Sequence, residues 1–162
     1  MLTGGPVRWP PNDTKGEPLE PRQVVEAFLG AFNRHDAVAC AALCADDVHF
    51  VAAGGREEID GRMVLLTDLA LSFERWAKWT LTPSRWTCAG DQVVVEVHNY
   101  AICDETGKTR EAEDCMVFVV RHGRIVELDF YFDSAATRDA NTRDAMLEIA
   151  ATPEPEPQLA TA

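Results

Sequence analysis

The sequence predicts an α+β fold in which a cone-shaped, strongly curved, mixed or antiparallel β-sheet wraps around three N-terminal helices. Apolar residues recur at helical spacing through the first half of the 162-residue chain, whereas β-branched and aromatic runs dominate residues 79–133. The segment Arg121-His122-Gly123-Arg124 separates the last two runs, and its glycine adopts positive φ at little cost, which is typical of a hairpin turn. Helices followed by a meander of strands indicate an α+β domain.

The first helix is predicted to run from Pro21 to Arg34, because proline suits the first turn and apolar residues then recur every three or four positions. This apolar stripe consists of Val24, Val25, Phe28, Leu29 and Phe32. Residues 1–20 have no such period and are predicted to form a flexible tail. Asp36 is expected to cap a short second helix with the sequence AVACAALC.

A short strand is predicted over residues 48–53, followed by a loop that begins with two glycines and continues with charged residues. Alternation places Val48, Phe50 and Ala52 on one side of this strand. Asp60 is expected to cap a third helix that ends near Ala77. The apolar stripe of that helix is predicted to consist of Met63, Leu66, Ala70, Phe73 and Trp76.

Four longer strands are predicted over residues 79–87, 92–102, 111–120 and 125–132. Side chains alternate between the two faces of a strand, so each strand presents one apolar side. For the last three strands, these sides consist of Val93, Val95, Val97, Asn99 and Ala101; of Ala112, Asp114, Met116 and Phe118; and of Val126, Leu128, Phe130 and Phe132. We expect these sides to form the inner, concave face of the sheet.

The domain itself is predicted to cover residues 21–133, because 162 residues with 46% hydrophobic content support one core. Residues 134–151 have helical character and are predicted to form a C-terminal helical extension. Residues 152–162 combine prolines with acids and are predicted to be a disordered tail.

Composition excludes several classes of function. A formal net charge of −12 argues against nucleic acids and anionic membranes as partners, since their phosphates attract clustered lysine and arginine. No run approaches the roughly 18 apolar residues of a membrane helix, and the N-terminus lacks the apolar core of a signal peptide. The five cysteines include no C-x-x-C pair and indicate neither disulfides nor a metal site. We therefore expect a cytoplasmic protein without a cofactor.

Four short stretches carry a resemblance to a known family. They are Cys44-Ala45-Asp46-Asp47-Val48, Gly107-Lys108, His122-Gly123-Arg124-Ile125 and Tyr131-Phe132-Asp133. With the element order, they make residues 21–133 similar to the nuclear transport factor 2-like superfamily, in its SnoaL-like branch of polyketide cyclases, ketosteroid isomerase and limonene epoxide hydrolase. The resemblance implies the cone-shaped fold and small-molecule chemistry, although one fold hosts many reactions.

The resemblance also implies catalytic positions, and this chain fills most of them with residues that cannot transfer protons. The base carboxylate of the isomerases falls on Ala52, and their tyrosine falls on Phe28. The Arg-x-Asp pair of the epoxide hydrolases falls on Val97 and Asn99. The last-strand aspartate that the hydrolases and the SnoaL cyclases share falls on Phe130. These substitutions disfavour the known reactions in their familiar form.

One family acid is retained, because Asp114 in the pattern Asp-x-Met-x-Phe matches the second acid of the isomerases. We take Asp114 and its neighbour on the inner face, Asn99, as the candidate catalytic residues. The predicted substrate-binding lining consists of Phe28, Phe50, Ala52, Trp76, Val97, Met116, Phe130 and Phe132. Burial among them is expected to raise the pKa of the Asp114 carboxyl group and make it a proton donor. Alternatively, Asp114 is a structural residue whose carboxylate accepts hydrogen bonds and transfers no proton.

Two hypotheses of function follow. The first is an enzyme that isomerises, dehydrates or cyclises an apolar polyketide- or terpenoid-like substrate by acid-base chemistry. The second is a non-catalytic domain of the same fold that binds a small apolar or aromatic ligand or forms a dimer. The resemblance implies a homodimer through the outer sheet face. His98 and Tyr100 are expected on that face, although a shift of one residue in register would turn them inward.

Overall fold

The computed structural model describes residues 19–52 and 57–141. The predicted N-terminal tail up to residue 18, and the predicted C-terminal segments from residue 142 onward, lie outside these residues. The elements are, in chain order, α1 (Pro21–Asn33), α2 (Ala37–Ala42), β1 (Cys44–Ala52), β2 (Glu57–Asp60), α3 (Arg62–Arg75), β3 (Trp76–Ala89), β4 (Gln92–Cys103), β5 (Thr109–Arg121), β6 (Arg124–Tyr131) and α4 (Ser134–Asn141).

Six strands form one open, mixed sheet in the order β2-β1-β6-β5-β4-β3. The pairs are antiparallel except for β1 and β6, which run parallel. The helices α1 and α3 pack against the inner face of this sheet. The predicted α+β fold, with a curved sheet around N-terminal helices, is therefore confirmed.

The hairpin of β5 and β6 has the predicted tight turn. His122 and Gly123 both have positive φ, 52° and 70°, which is the requirement of a type I′ turn and explains the glycine. A bulge between Val119 and Val120 then changes the register of the two strands. Ile125 is consequently buried and Val126 only half-buried, so the prediction that Val126 faces inward is wrong. Strand alternation alone does not reveal a bulge.

The first two helices follow the sequence prediction closely. In α1, the Glu20 and Gln23 side chains form a reciprocal capping box around Pro21 in the first turn. All five predicted stripe residues are buried. In α2, the Asp36 carboxylate accepts a hydrogen bond from the Ala39 amide at 2.9 Å, so this predicted cap is confirmed.

The segment after α2 differs from the prediction. The strand β1 already begins at Cys44, and Glu57 and Glu58, which were predicted to lie in a loop, belong to the strand β2 on its free edge. Asp60 does not cap α3, because it pairs with His49 across these strands, with a distance of 2.7 Å from its Oδ1 to Nδ1. Gly61, at φ 92°, takes the cap position instead. Edge pairing of this kind depends on a partner strand that the local sequence does not show.

The buried face of α3 also differs from the predicted stripe. Leu65 and Leu69 are buried, whereas Met63 and Ala70 are exposed. Trp76 is not helical but begins β3. The helix has apolar residues on more than one side, so its sequence is compatible with two different buried faces. Contact with the sheet selects one of them.

The core lies between the helices and the inner face of the sheet, where Val93, Val95 and Val97 are fully buried. This orientation excludes the register shift that would turn His98 and Tyr100 inward. Cys40 and Cys44 belong to the same core, and burial raises the pKa of both thiols, that of Cys44 to about 12. Both cysteines therefore behave as small core residues. Among the described residues, no helix combines the length and the apolar character needed to cross a membrane.

Candidate functional site

A cavity of about 90 Å³ lies against the inner face of the sheet. Six of the eight elements that line it are strands, and α3 and α4 supply the others. Its lining consists of Phe50, Ala52, Glu57, Asp68, Ser72, Trp76, Trp79, Asn99, Ala101, Arg110, Phe130, Phe132 and Thr137. The cavity thus combines aromatic rings with a small number of polar groups, which is typical of small-molecule sites.

Two tryptophans and three phenylalanines supply the aromatic walls. Trp76 and Trp79 are three residues apart on β3, a spacing that would place them on opposite faces of a regular strand. A register shift between Trp76 and Lys78 brings both rings to the cavity, with centroids 5.9 Å apart. The rings of Phe130 and Phe132 lie 5.1 Å apart. These rings provide a surface for an apolar or aromatic molecule.

A chain of hydrogen bonds connects the polar residues of the inner face. The indole Nε1 of Trp79 donates to Oδ1 of Asn99 at 2.9 Å. The Asn99 amide donates in turn to Oδ2 of Asp114 at 2.7 Å. Nη2 of Arg110 donates to both oxygens of Asp114, at 3.0 and 2.9 Å. Every partner donates to the Asp114 carboxylate, which is the pattern expected of an ionised acid.

Arg110 is held from three directions. Its Nε donates to Oγ1 of Thr137 at 2.9 Å, and its guanidinium lies 5.7 Å from the ring centroid of Phe132. Thr137 belongs to α4, which Asp133 caps by accepting hydrogen bonds from two first-turn amides. These amides lower the pKa of the Asp133 carboxyl group. The cap of α4 therefore helps to fix the guanidinium at the cavity.

Two further acids, Asp68 on α3 and Glu57 on β2, line the cavity. Burial raises the pKa of the Asp68 carboxyl group, and the negative charge of Glu57 raises it further, whereas Arg75 acts in the opposite direction. An acid with a raised pKa at a cavity wall is a candidate for proton transfer. Asp68 thus has the raised pKa that the sequence analysis expected of Asp114.

Most of the predicted site residues meet at the cavity. Its lining includes Asn99 and five of the eight predicted substrate-binding residues, namely Phe50, Ala52, Trp76, Phe130 and Phe132. Phe28, Val97 and Met116 are instead buried in the core cluster, outside that lining. Asp114 is not among the lining residues either, because Asn99 and Arg110 contact its carboxylate. The structure therefore separates the candidate acid from the cavity surface.

Sequence reasoning missed several polar residues of the site, and three of them, Arg110, Asp68 and Ser72, had a detectable signal. Arg110 lies four residues before Asp114 and so shares its strand face, but the strand was predicted to begin one residue later. Asp68 and Ser72 are one helical turn apart on the third helix, a spacing that places both on one side. Thr137 had no such signal, because the position of α4 depends on tertiary packing.

The outer face of the sheet carries a separate acidic cluster. Nδ1 of His98 lies 2.8 Å from Oε1 of Glu113, and Nε2 lies 3.2 Å from Oε1 of Glu111. The hydrogen bond with Glu113 raises the pKa of the His98 imidazole, and the charges of both glutamates add to this effect. His98 therefore reduces the repulsion between acids on the outer face and does not take part in the cavity.

Comparison with known proteins gives one family match and several structural matches. The sequence profile of the SnoaL-like domain, SnoaL_2, matches residues 25–128. No curated protein matches the sequence. An NTF2-like protein from Burkholderia thailandensis E264 is 23% identical over 76% of this chain and 98% of its own, with a TM-score of 0.69.

Two further solved structures have names that refer to a reaction. A candidate polyketide cyclase from Xanthomonas campestris pv. campestris is 23% identical over 75% of this chain and 96% of its own, with a TM-score of 0.68. An LEH-like epoxide hydrolase from M. tuberculosis is 26% identical over 74% of this chain and 83% of its own, with a TM-score of 0.64. The structural similarities show a shared fold.

Proposed function

Because the chain belongs to the SnoaL-like domain family, we propose that it binds a small apolar or aromatic molecule in the cavity and converts it by acid-base chemistry. The reaction would be an isomerisation, dehydration or cyclisation of a polyketide- or terpenoid-like substrate. The observation that carries this proposal is the combination of aromatic walls with Asp68, an acid of raised pKa, in one cavity.

In this proposal Asp68 is the general acid or base. Its carboxylate removes a proton from the substrate, and the resulting carboxylic acid returns a proton at another position. Trp76, Phe130 and the other rings of the wall hold the substrate and exclude water from it. Asn99 and Arg110 are donors at the cavity, while Asp114 positions both of them through its hydrogen bonds.

This assignment changes the role that the sequence suggested for Asp114. Both oxygens of this carboxylate already accept hydrogen bonds from the guanidinium of Arg110, and Oδ2 also accepts one from the amide of Asn99. The geometry therefore favours a positioning role for Asp114, and it favours Asp68 for the proton transfer.

A second candidate function is a non-catalytic domain that binds a small molecule. One specific observation favours it: the two carboxylate positions of the family bases are occupied by Ala52 and Phe130, and both of these residues line the cavity. Under this hypothesis Asp68 is a partly solvated acid at the rim of a binding cavity and moves no proton.

Exchange of protons for deuterium separates the two functions and does not require the natural product of the reaction to be identified. In D₂O, 2-indanone serves as the probe, because its methylene protons are acidic and its body is aromatic. We expect the protein to accelerate deuterium incorporation, followed by NMR, and Asp68→Asn to reduce the rate by about 100-fold, the lower range for loss of a general base.

Two variants control this experiment. Ala52→Phe fills the cavity and should abolish both binding and exchange, whereas Ala77→Phe makes the same substitution at an exposed position and should change neither. Binding of 2-indanone without accelerated exchange would support the non-catalytic domain. Equal exchange rates for the wild type and Asp68→Asn would contradict the role of Asp68.

We also propose a homodimer through the outer sheet face, as the family resemblance implies. Val94 and Val117, which are directly paired across β4 and β5, form a half-buried apolar centre there. Tyr131 is exposed on the neighbouring strand. A second copy would cover this apolar centre, and the acids around it would make association dependent on salt.

A further inference from the structure

The guanidinium of Arg110 is buried, and one of its nitrogens is unused. Nε donates to Thr137, and Nη2 donates to Asp114. Nη1 is buried and has no hydrogen-bond partner among residues 19–52 and 57–141. The group has five N–H donors in a fixed fork, so the two hydrogens on Nη1 lack an acceptor.

An unpaired donor at this place is costly, because a buried polar group without a partner loses its hydration and gains nothing in return. The penalty is larger for a charged group. The rest of the side chain is firmly held by Thr137, Asp114 and the ring of Phe132. Arg110 also lines the cavity, so an occupant of the cavity is the natural source of the missing acceptor.

We propose that the ligand of this cavity carries an anionic oxygen, such as a carboxylate, that accepts a hydrogen bond from Nη1 of Arg110. This inference rests on the proposed function, whose cavity it uses, and it specifies the class of ligand. The ligand would combine an aromatic or apolar body, which meets the tryptophan and phenylalanine rings, with one acidic group at the guanidinium.

An anion is favoured over a neutral oxygen because an anionic acceptor adds Coulombic attraction to the positively charged guanidinium, whose planar fork also fits a carboxylate. The carboxylate of Asp114 would also repel an anion, but its Oδ2 accepts a 2.7 Å hydrogen bond from the Asn99 amide, which offsets part of that repulsion. The other two acids of the cavity are less buried: Glu57 is exposed and Asp68 is half-buried. Solvent therefore screens their repulsion of the ligand more than it weakens the buried guanidinium contact.

A matched pair of probes tests this inference. Benzoate and benzamide have nearly the same shape, but only benzoate is charged at pH 7. We expect benzoate to bind about tenfold more tightly than benzamide, because only the carboxylate of benzoate adds Coulombic attraction to the guanidinium. Affinity is measured by NMR titration, and the side-chain Nε–H signal of Arg110 should shift with benzoate.

A double variant tests whether Arg110 causes the preference. Arg110→Gln combined with Asp114→Asn removes both charges of the buried pair and should make the two affinities equal. The control is Arg121→Gln combined with Asp91→Asn, the same substitutions in an ion pair that is about half exposed on both sides. The control should keep the preference for benzoate.

Several results would overturn the inference. These are equal binding of both probes to the wild type, absence of benzoate binding, and a preference for benzoate that persists in Arg110→Gln/Asp114→Asn. If that double variant does not fold, the wild type still tests the inference, through the comparison of the two probes and the Nε–H signal of Arg110. Equal binding leaves the proposed function intact, whereas failure of both probes and of 2-indanone to bind would contradict the proposed function as well.

Discussion

Arg110 and Asp114 form an ion pair along one strand, with 2.9 Å between Nη2 and Oδ2 and side chains that are only 3% and 1% exposed. Four residues of a strand span about 13 Å, so the arginine must extend along β5 to reach the acid. The residue between them on that face is Ala112, whose methyl group leaves room for this path. The pair links β5 to Asn99 on β4 and to Thr137 on α4.

Asp114→Asn should destabilise the protein by about 3 to 5 kcal/mol, the usual cost of removing one partner of a buried ion pair. The reason is that Arg110 would remain charged, buried and without a carboxylate. Urea denaturation at pH 7 measures the change in the free energy of unfolding.

The control for this prediction is Asp91→Asn, which breaks an ion pair of similar geometry with Arg121 on the surface. Surface ion pairs contribute about 0 to 1 kcal/mol to stability, so the urea midpoint of this variant should be close to that of the wild type. If Asp114→Asn were as stable as the wild type but lost all catalysis, Asp114 would be a proton donor and not a positioning residue.

Trp79→Phe should destabilise the protein by about 1 to 3 kcal/mol through the unpaired acceptor that it leaves. The phenylalanine keeps an aromatic wall but cannot donate to Oδ1 of Asn99. Trp86→Phe is the matched control, because Trp86 is half-buried and stacks under Arg22. Thermal unfolding of both variants, followed by circular dichroism, gives the comparison, and equal midpoints would remove the support for the hydrogen-bond chain.

Asp68→Asn should raise the free energy of unfolding at neutral pH. The folded-state pKa of Asp68 is raised by burial and by Glu57, so the folded protein binds the proton more tightly than the unfolded chain does. Stability is therefore lost as the pH rises above the ordinary value of 3.8 and through the folded pKa. The asparagine removes this loss. The difference in the free energy of unfolding between the variant and the wild type should therefore vanish below pH 3.8. A variant that is less stable at pH 7 would show that the Asp68 carboxylate makes a structural contact.

The imidazole of His98 should titrate above its ordinary pKa of 6.5. Glu113 and Glu111 favour the protonated form in the folded state, so their contribution to stability is fully present below 6.5 and is lost as the pH rises through the folded pKa. NMR titration of the ring protons gives the value directly. Glu113→Gln should shift it back towards 6.5, and an unchanged value in this variant would contradict the role of Glu113.

Association through the outer sheet face should strengthen with salt. The screening length falls from about 30 Å at 0.01 M to about 10 Å at 0.1 M ionic strength, which reduces repulsion between two acidic faces. Sedimentation velocity at both concentrations measures the fraction of dimer. Val117→Glu should abolish the dimer, whereas Leu71→Glu on the exposed side of α3 should not. A monomer at every salt concentration would exclude the proposed interface.

The sequence by itself determined the class of fold and the inner face of the long strands. Alternation along β4 and β5 correctly placed Val97, Asn99 and Asp114 inward, since a strand buried on one side must alternate in polarity. Glycine at position 123 located the hairpin, and helical spacing located α1. These signals are local, so they do not depend on which elements pack together.

The tertiary structure alone decided which polar residues join the predicted aromatic lining and which role each acid has. The bulges in β3 and β6 turned Trp76 and Ile125 inward, and bulges depend on pairing with a neighbouring strand. The contact of Arg110 with Asp114 fixed the acid as a hydrogen-bond acceptor, while the packing of α3 brought Asp68 to the cavity. The chemistry of an acid depends on which charges and donors surround it, and those neighbours come from segments far apart in the chain.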